Sequence, residues 1–326
     1  MRLLCRTWVY EMSDFHHVSV MLEETVQSLF TDPAGTYVDC TLGGGGHSHR
    51  LAELMGAEGR LIGLDQDEEA IAAARDRLAD AACRVDIVHS NFRYLEQVLT
   101  GQQVEQVDGV LFDLGVSSHQ IDTAERGFSY MQDAPLDMRM DPEAGFSAYD
   151  VVNTYGEADL MRIFRDYGEE RWAKRIAEFI VKARGEAPLA TTGDLVDIIC
   201  KAVPKAVRRE AGGHPAKRVF QAIRIEVNDE LGILEEAFRT AVRYLRPGGR
   251  LAIITFHSLE DRIAKQTLKE MARGCTCPPE LPVCVCHHKP EIKLLGKPKV
   301  AKREEISGNS RAKSAKLRVA EKLANA

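Results

Sequence analysis

Four consecutive glycines, Gly43 to Gly46, stand between two short apolar segments, with Asp39 closing the first and Asp65 closing the second. Glycine in such a run lets the backbone approach a ligand where any Cβ would clash. An acid about twenty residues past the loop is placed to accept hydrogen bonds from both hydroxyls of a ribose. Loop, spacing and acid together predict a site for a nucleoside-containing cofactor. Two further groups fall where apolar segments end: Phe92, just after the third, and Asp113, at the close of the fourth.

These residues need a frame that brings them together. Thr36–Thr41 reads as a buried strand, Leu51, Leu54 and Met55 follow at helical spacing, and Leu61–Leu64 is a second strand, so the unit is a right-handed βαβ. Met21, Leu22, Val26 and Leu29 mark one face of a helix ahead of it. A helix over Glu68–Leu78, a strand over Arg84–His89, a short helix over Leu95–Leu99 and a strand over Val107–Leu114 continue the α/β alternation. In an open α/β sheet the ligand side is the carboxyl ends of the strands, which predicts that Asp39, Asp65, Phe92 and Asp113 converge on one crevice. The rhythm then breaks. From Ser117 to Lys205 no strand is evident; a long Gly/Pro/Asp-rich loop precedes amphipathic helices over Glu157–Tyr167, Glu170–Arg184 and Thr192–Val203. Residues 120–215 therefore read as a helical insertion between the fourth and fifth strands. Residues 16–119 and 216–326 form the core, and 1–15 a flexible extension with Met12 as an alternative start. One long helix is expected from Pro215 to the Arg246-Pro247-Gly248-Gly249 stop, then a fifth strand over Arg250–Phe256, a helix from His257, and a final edge strand within Ala315–Leu323.

The loop departs from the nicotinamide fingerprint, because Ser48 stands where its third small residue belongs and Asp39 precedes the loop. An acid, a glycine run and a second acid in this order resemble the class I S-adenosylmethionine methyltransferases, with their Rossmann-like fold. Eight ordered motifs sharpen the resemblance: GGGGHS, DLGVSSHQ, ERGFS, PLDMRM, YGEERWAKRIA, HPAKRVFQAIRIEVN, FHSLEDR and SRAKSAKLRVAEK. Together they resemble the bacterial MraW/RsmH family, from about His16 to Leu323. The resemblance implies S-adenosylmethionine-dependent methylation of N4 of a cytidine in 16S ribosomal RNA, within the small subunit. Position by position it implies a donor site of Gly45, Gly46, His47, Asp65, Phe92, Asp113 and Gln120. Asp113, or a backbone carbonyl of Leu114–Val116, is placed to accept from the target amine and localise its lone pair. DNA amino-methylating enzymes commonly carry Pro-Pro-aromatic after this acid; here Leu114-Gly115-Val116 follows. A ring to stack the target base must come from elsewhere, with Phe128, Tyr130, Phe256 and His257 as candidates. Arg218, Gln221, Arg224 and Asn228 share one face of their helix and suggest a polar wall at the cleft. Two rivals remain: a DNA amino-methyltransferase of the same fold, and a non-catalytic ribosome-assembly module.

A cytoplasmic protein is expected, because the N-terminal stretch is too short and interrupted for a signal-peptide core. No apolar run approaches the roughly 18 residues of a membrane span, and no membrane partner is expected. Cys275-x-Cys277 and Cys284-x-Cys286 suggest a structural zinc, whereas Cys5, Cys40, Cys83 and Cys200 read as ordinary thiols. The net charge is −6, yet residues 287–326 hold eleven Lys/Arg against four Asp/Glu, and residues 200–224 seven against one. Such basic segments on an acidic chain are a footprint for phosphates. Replacing Lys205, Arg208 and Arg209 together by alanine is expected to weaken RNA binding and flatten its salt dependence, leaving cofactor affinity alone. Filter binding across a salt series checks this, and unchanged RNA affinity rejects it.

Overall fold

The computed structural model describes residues 19–205, 214–275, 277, 283, 285–286 and 288–324. The N-terminal extension, Cys5, Arg208, Arg209 and Cys284 lie outside the described residues.

Strands β1 (Thr36–Asp39), β2 (Arg60–Asp65), β3 (Arg84–His89), β4 (Val107–Asp113) and β5 (Leu245–Thr255) pair in parallel in the order β3-β2-β1-β4-β5. Neighbouring residues within each strand serve opposite faces. Val38, Ile62, Val110, Phe112 and Ile253 join one buried cluster with helix Leu234–Tyr244, whereas Tyr37, Leu61, Leu111, Ala252 and Ile254 join another with helix α1 (Leu22–Leu29). A strand covered on both faces must be apolar at every position, which is why these segments read as continuous hydrophobic runs. This is the Rossmann-like α/β arrangement. The strand order reverses between β1 and β4, and a switch point of that kind opens a crevice at the carboxyl ends.

Strand β8 (Lys316–Lys322) is not an edge. It pairs antiparallel with β5 on one side and with β6 (Ile292–Leu294) on the other, and β7 (Lys299–Val300) also pairs with it. The alternation of KLRVAEK gives a strand but says nothing about a three-residue partner upstream. The expected long helix is also divided. One helix runs over Ala216–Asn228 with Pro215 as N-cap, and the next over Leu234–Tyr244. Asp229 takes the left-handed conformation (φ 48°) between them, and Glu230 folds back onto Arg224 through two bonds of 2.7 and 2.8 Å. That ion pair within the turn outweighs the helical periodicity that spans it.

Between β4 and β5 the helices Glu157–Asp166, Ala173–Arg184 and Thr192–Ala202 enclose a hydrophobic core of their own, including Leu160, Phe164, Ile176, Ile180, Leu195 and Ile199. Val219, Phe220 and Ile223 of helix Ala216–Asn228 pack into this core rather than against the sheet. That helix therefore connects the insertion to the cleft. Among the described residues no helix is long and apolar enough to cross a membrane.

Asn228 fastens the insertion's loop to this helix: its Oδ1 accepts from the Met140 amide, and its Nδ2 donates to the Met138 and Arg224 carbonyls, each at 2.8 Å. Asn228→Ala is expected to lower unfolding stability by about 1–3 kcal/mol, since it strands the buried partners of a neutral side chain. Urea unfolding measures this, and an unchanged midpoint rejects the fastening role.

Candidate active site

One cleft of about 570 Å³ lies at the carboxyl ends of β1, β2, β4 and β5, within the size range of small-ligand sites. Gly43, with φ of 51°, donates its amide to Asp65 Oδ2 at 2.7 Å, and the Asp67 amide donates to Asp65 Oδ1 at 3.0 Å. A carboxylate oxygen holding one such bond can accept another, so Asp65 keeps acceptor capacity towards the cleft. A Cβ on Gly44 would meet no atom within 4 Å, so the ligand-facing openness of the loop is there and at Gly43. Gly46 lines the cleft, and a side chain on it would collide with Ser19. Gly45 does not line it: with φ of 74° it packs against Ala74, where a Cβ would sit 3.3 Å away. The demand for glycine at that position comes from helix packing and backbone conformation.

The acids divide into two kinds. Asp39 is buried away from the cleft, contrary to the expected convergence, and accepts from Ser48 Oγ at 2.8 Å and the Thr41 amide at 3.2 Å. Burial pushes its pKa up to about 6 despite those bonds. Asp113 lines the cleft. Burial, with the neighbouring charges of Asp39 and Glu260, raises its pKa well above the usual carboxylate range. Its Oδ2 is 3.5 Å from Nδ1 of His47, whose Nε2 lies 3.1 Å from the Val20 carbonyl oxygen. Asp113 Oδ1 is buried with no hydrogen-bond partner among the described residues. His47 is thus a brace for Asp113 as much as the start of helix Gly46–Ala52.

Phe92 lines the cleft with its ring edge-on to Phe112, centroids 5.5 Å apart, and offers an apolar face beside Asn91 and Gln66. Asn91 Nδ2 donates to Gln66 Oε1 at 2.7 Å, which fixes that polar edge. Gln120 also lines the cleft, but its Nε2 donates to Asp67 Oδ2 at 2.9 Å and its Oε1 accepts from the Ser117 amide. Sequence reasoning missed the hub of this arrangement. Asp67, wholly buried, caps helix Glu68–Arg77 and takes both Gln120 and Arg126 Nη1, the latter at 2.7 Å. The clue available was an acid two residues after Asp65 at a helix start, followed far downstream by an arginine in ERGFS.

The other end of the cleft is more aromatic. Phe128, Tyr130, Phe256 and His257 all line it, though Tyr130 is already stacked on His214 with centroids 4.9 Å apart. Gln221, Arg224 and Asn228 reach it; Arg218 does not, donating instead to the Glu169 carbonyl. Glu260 accepts from the Phe256 and His257 amides, and His257 Nε2 stands 3.0 Å from its Oε1. Burial alone would raise the Glu260 acid, but His257 and Arg224 hold it below its ordinary value. A Cβ on Gly115 (φ 95°) would lie 3.8 Å from the Phe256 ring and 3.9 Å from Glu260, so this wall faces the loop after Asp113. The residues fit a two-part occupant. Asp65, Phe92 and their neighbours suit a nucleoside, and the aromatic end suits a second planar group, with Asp113 between them.

A model of the MraW methylase family matches residues 14–323. The chain belongs to this family. It is 55% identical over 311 residues to "Ribosomal RNA small subunit methyltransferase H" of Clostridioides difficile, covering 95% of this chain and 100% of that protein. Proteins of the same name from Heliobacterium modesticaldum and Symbiobacterium thermophilum are each 56% identical, over 95% of this chain and 99% and 97% of theirs. Within this methylase, Lys205 is exposed, whereas Cys40, Cys83 and Cys200 are buried.

An acid whose folded pKa lies above its unfolded value stabilises the fold while protonated. For Asp39 that contribution is complete below about pH 4 and lost as pH rises through about 6. Asp39→Asn is expected to remove on the order of 3 kcal/mol from the decline in stability between about pH 4 and 8. Thermal unfolding of both proteins over that range checks this, and parallel profiles reject it.

Proposed function

We propose that this methylase transfers a methyl group from S-adenosylmethionine to N4 of a cytidine in 16S ribosomal RNA, acting on the small ribosomal subunit in the cytoplasm. The observation that carries the reading is Asp113: a carboxyl with one unpartnered oxygen, set between a nucleoside-shaped half-cleft and an aromatic half-cleft. The family match and the relatives' names support the substrate class.

The chain's residues divide the work as follows. Asp65 holds the ribose hydroxyls and Phe92 covers the adenine, while Gly46 and His47 border the methionine end. Gly45 shapes the loop from behind, and Gln120 seats the far wall through Asp67. When bound, the sulfonium donor supplies an electrophilic methyl group. The Asp113 carboxylate accepts an N–H of the cytosine amine, which draws the nitrogen lone pair out of conjugation with the ring and fixes its direction. A backbone carbonyl of Leu114–Val116, residues that also line the cleft, takes the second N–H. As the N–C bond forms and the S–C bond breaks, the amine proton leaves through Asp113 to solvent. Phe128, Phe256 and His257 flank the flipped base and exclude water, so the positioning contribution is large. Basic residues outside the crevice anchor phosphates.

The test is to incubate the protein and labelled donor with small subunits, naked 16S RNA or duplex DNA, and digest the product to nucleosides for mass spectrometry. N4-methylcytidine from the ribosomal substrates alone supports the reading. Methylated DNA favours the DNA amino-methyltransferase, and no transfer to any substrate despite donor binding favours a non-catalytic module. Asp65→Ala is expected to weaken S-adenosylmethionine binding by about 2 kcal/mol or more, the cost of stranding ribose hydroxyls. Isothermal titration measures it, and unchanged affinity rejects the ribose assignment.

A further inference from the structure

The two ends of the connection between helix Ser258–Met271 and β6 lie together, because the Glu291 amide donates to the Met271 carbonyl at 2.8 Å. Closing a loop costs chain entropy, which a cross-link within it offsets. It carries Cys275, Cys277 and Cys286, whose sulfur atoms all lie within 4.8 Å of one another. Cys275 and Cys286 sulfurs are 3.7 Å apart. Thiolates on a tetrahedral zinc at about 2.3 Å are separated by about 3.8 Å along each edge. Two backbone amides point at sulfur: Cys277 N–H at Cys275 Sγ (3.4 Å), and Val285 N–H at Cys277 Sγ (3.3 Å). Amide donors aimed at sulfur favour the thiolate over the thiol and orient it, as outer contacts do around a metal ligand.

We infer that Cys275, Cys277 and Cys286 bind one zinc ion that cross-links this connection. Each thiol gives up its proton on binding, and no electrons move. The ion is remote from methyl transfer, since among the described residues none from 262 to 309 lines the cleft. Its consequence falls on the sheet. The chain enters β6 directly from the cross-linked segment, with Ile292 buried in the core and the Leu323 amide bonded to the Glu291 carbonyl. The inference stands apart from the methyl-transfer reading and can fail without it.

The full chain, purified without chelator or metal-affinity resin, is expected to contain about one zinc per chain by elemental analysis. Cys275→Ser and Cys286→Ser should each reduce this to below about a tenth, with S-adenosylmethionine affinity unchanged. In case these variants do not fold, a mercurial added to the wild-type protein should release the zinc to a chromogenic chelator. Amide exchange should then quicken in β6 and β8 while β1 and β2 stay protected. Wild-type protein without zinc, with iron in its place, or with these cysteines in disulfides overturns the inference. Zinc that survives both substitutions, or mercurial treatment, overturns it equally.

Discussion

Two backbone amides converge on the Asp65 carboxylate, one from the glycine loop and one from the start of the next helix, and the site depends on that convergence. The bond from Gly43 pins the loop after β1 to the end of β2. The bond from Asp67 turns the chain so that the Asp67 side chain points inward, where it caps its own helix and receives Gln120 and Arg126. Burial pushes the Asp65 acid up, and the two amides oppose that by favouring the charged form. One carboxylate therefore sets the loop's shape and, through the residue two places on, the position of the loop that follows β4. A ligand that competes for Asp65 meets a group already oriented, so little ordering remains to be done on binding.

The second dependence is on helix Ala216–Asn228, which belongs to the insertion by its packing and to the cleft by its polar residues. Its apolar side, Val219, Phe220 and Ile223, completes the insertion's core, while Gln221, Arg224 and Asn228 reach the cleft. Arg224 is held by Glu230 across the turn that ends the helix, and the charge of Glu260 adds to this. A shift of the insertion relative to the sheet would carry this wall with it. The aromatic half of the cleft is therefore formed by contacts between the two parts, whereas the nucleoside half is formed within the sheet.

The sheet was legible in the sequence because parallel strands buried on both faces leave long apolar runs, and β3 runs between the residues expected of it. Asp65, Phe92 and Asp113 line the cleft as their strand-end positions led one to expect, because acids and aromatics at strand ends are visible in one dimension, whereas Gln120 was expected only from the family resemblance. What was hidden were interactions between distant positions. Asp67 and Arg126 are fifty-nine residues apart, and neither is conspicuous alone. Glu230 breaks a helix that periodicity alone would continue. Asp39 occupies the same strand-end position as Asp113 yet turns into the core, because Ser48 and Thr41 satisfy it there. Gly45 was expected in the donor site, but it does not line the cleft, and the neighbour that excludes a side chain there is Ala74.

The place of β8 between β5 and β6 bears on how the chain is made. Synthesis proceeds from the N-terminus, so β1 to β5 emerge long before residues 316–322. Until then the 11-residue strand β5 presents an open row of donors and acceptors along one side, and β6, which among the described residues pairs with β8 alone, has nowhere to dock. The nascent protein therefore passes through a stage in which β1 to β5 can be paired while the sheet carries an adhesive border. Closing that border waits on β8, in which charged residues flank Leu317, Val319 and Ala320.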